Sequence, residues 1–268
     1  MLMLTPQELH VQSSTPKVNA GRLAEDEFGR IWIYLQASEA LSFGSVIKPL
    51  WAVLNQDVDA AAAADKRRVT ATGDFTTTNL KDIASRDLPH GHIYHLFINA
   101  GAAQGQGGII TQRIDNDNVD VYWETSDDGK IATALTTSSD YIVSCLSRIA
   151  KITEATDLTI AVAQMAITDE YWFWGLYIGK GYVLLDQSDG VPDATGRGII
   201  PAATDSGKCA GHSGTPSTDE LLSTFGRALG NAEQDADMII PALINCSWTV
   251  PVGYSGVPAN VNTDWPKK

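Results

Sequence analysis

Short runs of β-branched and aromatic residues recur along this chain, and residues typical of turns separate one run from the next. Residues 28–36 alternate with a period of two, as in a strand. One face of that strand would carry Ile31, Ile33 and Leu35, and the other Arg30, Trp32 and Tyr34. Residues 93–99, 109–114 and 119–124 repeat the pattern. We therefore expect an all-β fold: a β-barrel or β-sandwich-like core of short strands with long loops and at most one or two short helices.

Two segments predict small antiparallel units. Residues 42–45 predict a turn into a strand over residues 46–53, which would form a hairpin with the strand before it. Residues 158–185 contain an apolar run, an acidic turn, an aromatic run and a Gly-Lys-Gly turn, which predicts a three-stranded meander. In the aromatic run, Tyr171 and Phe173 would face one side of the sheet and Trp172 and Trp174 the other. A last strand is expected over residues 238–248.

Two further segments are compatible with a helix. Residues 59–68 hold five consecutive Ala between an Asp and basic residues, which predicts a short surface helix or a mobile loop. Residues 140–152 fit helical spacing and strand alternation almost equally well. We favour a strand there, because residues 153–159 have the composition of a loop that leads into another strand.

Both ends of the chain mix turn residues with apolar side chains, which predicts extended arms over residues 1–20 and 249–268. Between the arms we expect a first β-rich subdomain over residues 21–135 and a second over residues 136–248. The C-terminal arm is too apolar for a solvated linker, so it should lie on its own body or on a neighbouring molecule.

The net charge of the chain argues against nucleic acid as a partner, and the length of its apolar runs argues against a membrane span. A net charge of −13 makes binding to a phosphate backbone unfavourable, so nucleic acid is not an expected partner. No apolar run approaches the roughly 18 residues of a membrane span. The first residues lack a basic and apolar leader pattern, so we expect the chain to be made and kept in the cytosol, or assembled there.

Candidate catalytic residues are few. Ser213 lies in a Gly-His-Ser-Gly stretch, but Thr215 stands where a nucleophile elbow requires Gly. Cys209 and His212 would form a thiolate pair only if their loop brought them together. The three Cys, at positions 145, 209 and 246, are widely spaced and are expected to be reduced and buried. The sequence predicts neither an enzyme nor a cofactor.

Metal and anion sites are equally weak as hypotheses. His90, His92 and His95 cluster in the sequence, but on a strand His95 would point away from the other two. Residues 115–120 contain three Asp but fail the calcium-loop pattern, which favours a polar turn. The glycines of residues 101–108 match no phosphate-binding motif, so a hairpin loop is the better interpretation. No metal site is predicted.

Four stretches together resemble a known class of proteins. Residues 160–185 (IAVAQMAITDEYWFWGLYIGKGYVLL) resemble a module of tailed-bacteriophage virion proteins, particularly the head decoration or cement proteins associated with capsids. Residues 26–34 are similar to the strand that opens such proteins. Residues 202–211 are similar to their loop before a late strand, and residues 225–230 with the strand over 238–245 to their closing segment. The resemblance covers about half of the chain, and the aromatic run lacks the Gln that commonly follows it in that module.

The resemblance implies a virion structural protein that binds the outer surface of a phage capsid lattice and stabilises it. Its partners would be the major capsid protein and further copies of itself, since such proteins are often trimers. It would be assembled in the host cytoplasm and placed on the outer face of the capsid. The acidic charge fits that position, because packaged DNA would repel it.

The candidate partner-contact residues lie in the two arms. They are Leu2, Leu4 and Leu9 at one end and Tyr254, Val257, Val261 and Trp265 at the other. In the alternative interpretation, both arms fold back on their own domain. A second functional hypothesis is a carbohydrate- or receptor-binding virion module, such as a head fibre or tail component, because seven Trp and eight Tyr on a β framework could stack on sugars. A hydrolase that uses Cys209 or an acid pair is a third.

Overall fold

A computed structural model describes residues 2–62, 66–84, 90–124, 128–154, 157–186, 196–203, 205–212, 223–230 and 237–248. These residues form an all-β fold, as expected, with one short α-helix, α1 (Pro6–Leu9), and a terminal 3-10 turn (Cys246–Trp248) in the described part. The strands are β1 (Leu2–Leu4), β2 (Leu23–Asp26), β3 (Ile31–Ala37), β4 (Val46–Asp57), β5 (Arg68–Thr70), β6 (His95–Ala100), β7 (Gly107–Arg113), β8 (Asn118–Trp123), β9 (Asp140–Lys151), β10 (Ala161–Val162), β11 (Trp172–Leu185), β12 (Gly198–Pro201), β13 (Cys209–Gly211), β14 (Gly226–Ala228) and β15 (Met238–Asn245).

All fifteen strands belong to one hydrogen-bonded sheet. Its main path runs β13-β12-β14-β15-β11-β10-β4-β9-β6-β7-β8-β5, and β3 joins β11 to β9 while it also pairs with β2. The long strands β4 and β9 pair antiparallel, with shifts in register that let the sheet bend. No helix of the described residues is long and apolar enough to cross a membrane.

The middle of the chain folds through local turns, much as its sequence predicts. Strands β6, β7 and β8 pair antiparallel with their neighbours along the chain. The glycine-rich stretch is the β6–β7 hairpin loop, in which Gly101 and Gly105 adopt positive φ. The acidic stretch is the β7–β8 turn, where the Asp115 carboxylate accepts hydrogen bonds from the Asp117 N–H and the Asn118 amide. Both interpretations of these loops are confirmed.

The predicted hairpin of β3 with β4 is wrong. β3 pairs with β2 and β11, and its last residues pair in parallel with β9, so its edges are occupied. β4 pairs instead with β9 and β10. The intervening chain runs alongside residues 163–171, where Leu41 forms a bridge with Ile167 and the Gly44 N–H donates to the Ala163 carbonyl.

The predicted three-stranded meander is also wrong, because its last two strands are one. β11 runs without interruption through the Gly-Lys-Gly stretch, and β15 pairs with it from Ile178 to Leu185. Gly179 has a φ of 131°, which side-chain-bearing residues rarely adopt, and an added Cβ would lie 2.7 Å from Arg30 Cγ. Glycine therefore lets the strand bend past Arg30 rather than end in a turn. The aromatic alternation is confirmed: Trp172 and Trp174 lie in one core and Phe173 in another.

The two helix-compatible segments contain no helix in their described residues. Asp140–Lys151 is a strand, as favoured. Of the alanine-rich stretch, residues 63–65 lie outside the described part; Ala62 bridges to Leu135, and β5 begins at Arg68.

Buried side chains form three clusters. The hairpin core is built from residues between Val53 and Cys145, on β4 to β9 and the segments between them, and contains Phe75 and Trp123. The terminal core combines both ends of the described chain, with residues between Leu4 and Val46 and between Ile152 and Cys246. A third core lies around Leu35, Ile47 and Phe173, on strands that each contribute to at least one of the other two cores. The predicted division into subdomains at residue 135 stays a prediction.

Candidate functional site

The outward surface of β11, β14 and β15 is apolar although its inward surface already lies on the terminal core. Alternate residues of these strands, among them Val183, Ile240 and Ala228, are buried below. The residues between them point outward, as the two-residue period of a strand requires. We call this surface the open face; it consists of the strand residues Lys180, Tyr182, Leu184, Arg227, Ile239, Pro241 and Leu243, together with Leu229, which directly follows β14.

The register of the three strands arranges the open face in rows. Lys180 and Arg227 both pair with Leu243, from opposite sides, so one row reads Lys-Leu-Arg across the sheet. Tyr182 pairs with Pro241, whose carbonyl accepts a hydrogen bond from the Leu229 N–H. Leu184 pairs with Ile239. One end of the face is therefore cationic and the rest apolar.

The large apolar side chains of the open face are well exposed. Their exposed fractions are 50% for Tyr182, 46% for Ile239, 45% for Leu243 and 40% for Leu229. The Phe43 ring lies 5.8 Å from that of Tyr182 and extends the patch. A sheet with one buried face usually carries polar residues on the other, so adjacent apolar side chains here indicate an interaction surface.

Both cations of the open face lack a carboxylate partner among the described residues. Among the described residues, the Arg227 guanidinium donates a hydrogen bond to the Gly196 carbonyl, at 3.3 Å, and forms no ion pair. Elsewhere, cations of the same sheet form cross-strand ion pairs; Arg68 on β5 and Asp120 on β8, for instance, lie 2.9 Å apart. The cationic row is therefore free to meet anionic groups from outside.

The N-terminal contact candidates lie on the protein itself. Leu4 and Leu9 are buried in the terminal core and Leu2 packs against it, which fits the folded-back alternative for this arm. β1 pairs in parallel with β2, and Thr5 and Glu8 form a capping box at the start of α1. A groove of about 520 Å³ remains beside them, floored by Tyr34 and Trp174. The C-terminal candidates Tyr254, Val257, Val261 and Trp265 lie outside the described residues.

The clustered histidines do not converge. His92 is fully buried, whereas His95 is exposed on β6 and His90 contacts Asn19. The Gln36 side-chain NH2 donates a hydrogen bond to the Glu170 carbonyl, which leaves the Gln36 Oε1 atom as an acceptor. His92 Nε2–H donates to that oxygen at 2.7 Å. His92 Nδ1 therefore carries no proton and accepts a hydrogen bond from the Ser147 hydroxyl at 2.8 Å. The ring stacks on Trp172 with centroids 4.7 Å apart. Burial, together with the charges of Arg148 and Lys81, lowers the pKa of His92 to about 3, so it is a neutral structural residue.

The cysteines are all free and buried, as expected. Burial raises the pKa of the Cys145, Cys209 and Cys246 thiols, which disfavours the thiolate that nucleophilic chemistry requires. A Cys209–His212 thiolate pair therefore gains no support. Ser213 lies outside the described residues.

One group of carboxylates in the described chain has ligand atoms within 4.8 Å of one another: Asp186, Asp205 and Asp237. The Lys208 ammonium forms ion pairs with Asp205 and with Asp237, the latter at 2.6 Å. Its pKa is raised: burial opposes the charged form, but hydrogen bonds to both carboxylates outweigh it. A lysine thus supplies the positive charge of this group, which we interpret as a structural link.

Comparison with known proteins leaves the chain without an assigned relative. No family model, no curated protein and no solved structure matches it. The open face was missed in the sequence, although residues 180–185 and 238–245 carry apolar side chains at odd and even positions alike. That pattern predicts a strand with two apolar faces, and in this part of β11 and in β15 one of them lies on the terminal core while the other is exposed.

Proposed function

We propose that this protein is a virion structural protein that binds the outer surface of a phage capsid lattice and stabilises it. The observation that carries the proposal is the open face, an apolar surface of three paired strands beside two cations that have no carboxylate partner in the described part of the chain. Contact of these apolar side chains with water is unfavourable, and their burial by a partner lowers the free energy of the complex. The proposed partner is the major capsid protein, with further copies of this chain as neighbours.

The shape of the open face suits a protein shell better than a small ligand. Its side chains project from paired strands of a sheet, whereas pockets for small molecules are concave. Each contact would be modest, but its repetition across a closed shell would cross-link many subunits. The strong negative charge of the chain agrees with a position outside the shell, away from packaged DNA.

One observation favours a second candidate, the carbohydrate- or receptor-binding virion module. Tyr182 and Phe43 are neighbouring aromatic rings at the surface, and such rings can stack on sugars. Most other large aromatics, including Trp32, Trp123 and Trp172, are buried and could not take part. Around the Tyr182–Phe43 pair the open face is aliphatic, which favours a protein partner.

Co-sedimentation with empty capsid shells of the virus that encodes the chain tests the proposal. The full chain should saturate the shells at a fixed stoichiometry, and Leu243→Glu should weaken binding at least about tenfold, because a charge would be buried in the contact. The matched control is Leu146→Glu on β9, since Leu146 is 53% exposed but lies off the open face. A chain that fails to bind shells, or equal effects of the two variants, would refute the proposal.

A further inference from the structure

We propose that the row Lys180–Leu243–Arg227 is the specificity-determining end of the open face and recognises carboxylates on an acidic protein surface. This inference rests on the proposed function and deepens it, because it names the chemistry that the shell must present. The partner would place an apolar patch against Tyr182, Ile239 and Leu243 and acidic side chains against the two cations.

The positions of the two cations follow from the strand register. Lys180 on β11 and Arg227 on β14 are both opposite Leu243 on β15. Neighbouring strands lie about 4.8 Å apart, so the two positions are about 10 Å apart, with one leucine between them. An acidic group above Leu243 would reach both cations at once, and an arginine can bind a carboxylate through two parallel hydrogen bonds.

The charge balance of the molecule makes this row unusual. The chain carries thirteen more acidic than basic side chains, and many of its cations are used in ion pairs, such as Lys48 with Asp157 and Lys151 with Glu39. Lys180 and Arg227 have no such partner among the described residues. Both are exposed, and they lie on β11 and β14, the two strands that flank β15. Two like charges at this spacing repel weakly, and a carboxylate from a partner removes that repulsion.

The apolar side chains around Lys180 and Arg227 indicate which kind of anionic partner fits the open face. Nucleic acid requires a broad basic surface, and the net charge of −13 opposes it. An acidic polysaccharide would match the cations but not Leu229, Ile239 and Leu243, whose aliphatic side chains offer no stacking surface for sugar rings. A protein surface with apolar and acidic side chains matches both parts of the face.

Charge reversal on the full chain, measured by co-sedimentation with the same empty shells, tests the inference. The double variant Lys180→Glu/Arg227→Glu should lower the affinity at least tenfold, and the residual binding should lose most of its dependence on NaCl concentration. The control is Lys17→Glu/Arg22→Glu, which changes the net charge equally on two exposed cations of the N-terminal segment that form no ion pair in the described chain. Its affinity should stay within about twofold of the unmodified protein, since only long-range repulsion changes.

The outcomes separate the inference from the proposed function. Equal losses in the two double variants would mean that only overall charge matters, and no loss in either would mean that Lys180 and Arg227 do not contact the partner; each result overturns the inference. If Leu243→Glu still abolishes binding in those cases, the proposed function survives. Retention on an acidic polysaccharide that depends on Lys180 and Arg227, without binding to shells, would overturn both in favour of a glycan-binding module.

Discussion

The hairpin core and the terminal core differ in how far apart their residues lie along the chain. The hairpin core takes its side chains from residues 53–145, where β6, β7 and β8 pair through short turns while β4–β9 and β5–β8 pair across the whole segment. The terminal core joins Leu4 and Trp32 to Phe225 and Ile244, which are about 200 residues distant. The first is completed within one continuous segment of the chain, whereas the second requires both ends of the described chain to meet. The open face lies over the second.

The two cores are nevertheless mechanically linked, because β4 contributes to each of them. Its first residue, Val46, lies in the terminal core, Ile47 in the third core and Val53 in the hairpin core. β9 likewise pairs with β4, β6 and the end of β3. We therefore expect one cooperative unfolding transition despite the different origins of the two cores.

The largest expected effect comes from truncating a buried phenylalanine in each core. Phe75 and Phe225 are both fully buried, so Phe75→Ala and Phe225→Ala should each lower the free energy of unfolding by about 3 to 5 kcal/mol. Urea unfolding, followed by far-UV circular dichroism and by tryptophan fluorescence, should give coincident transitions for both variants. If either variant splits the transition in two, the hairpin core and the terminal core unfold as independent units, contrary to this prediction.

A second prediction concerns the buried ion pair next to the terminal core. The Asp26 carboxylate is buried and accepts hydrogen bonds from Arg30 Nε at 2.6 Å and from Trp32 Nε1 at 3.0 Å. Burial opposes its ionisation, but the donors of Trp32, Arg30 and Phe28 outweigh it and hold its pKa below the usual value. Asp26→Ala leaves these donors unpaired and should cost about 2 to 4 kcal/mol, measured by urea unfolding at neutral pH. A cost below 1 kcal/mol would contradict this account.

The third prediction uses His92, which sits where β3, β9 and β11 meet. Its pKa is about 3 in the folded protein and about 6.5 when unfolded, so the unfolded state binds more protons between these values and stability falls as the pH drops from 6.5 toward 3. At pH 4.5 the loss relative to pH 7 should be about 2 to 3 kcal/mol larger in the unmodified protein than in His92→Gln, which does not titrate. Parallel pH dependences in urea unfolding would show that His92 is not the titrating group.

The smallest effect is expected at the exposed ion pair of the hairpin region. Arg68 and Asp120 pair across β5 and β8, but the Arg68 side chain is about half exposed and solvent screens the interaction. Arg68→Ala should therefore cost less than about 1 kcal/mol, in contrast to Asp26→Ala. If the two variants proved equally destabilising in the same urea titration, burial would not be what distinguishes the two ion pairs.

The sequence was most informative where structure depends on neighbours along the chain. The β6–β7 loop, the polar turn at Asp115 and the alternation of Trp172, Phe173 and Trp174 all follow from local composition. It was misleading where pairing with a strand distant in the sequence determines whether a segment turns or continues as a strand. The Gly-Lys-Gly stretch would turn if β15 did not pair along it, and residues 42–45 do not close a hairpin because β11 and β2 already flank β3.

The candidate site shows the same limit. The open face could be suspected from apolar residues at consecutive positions of β15, but its cationic row depends on a register across three strands that are distant in sequence. The expectation that the N-terminal leucines contact a partner relied on their position near the chain end. Burial of Leu4 and Leu9 in the terminal core agrees with the alternative that this arm folds back on the protein, and a partner contact of the arms stays a prediction.

The unbroken length of β11 has a consequence for how the molecule would respond to pulling. Eight consecutive residue pairs join it to β15 and six join its other half to β3, all antiparallel. A tensile load that enters through the open face and runs along these strands must shear many hydrogen bonds together rather than unzip them singly. Under such a load the lifetime of the fold, set by its unfolding rate, would matter more than its equilibrium stability.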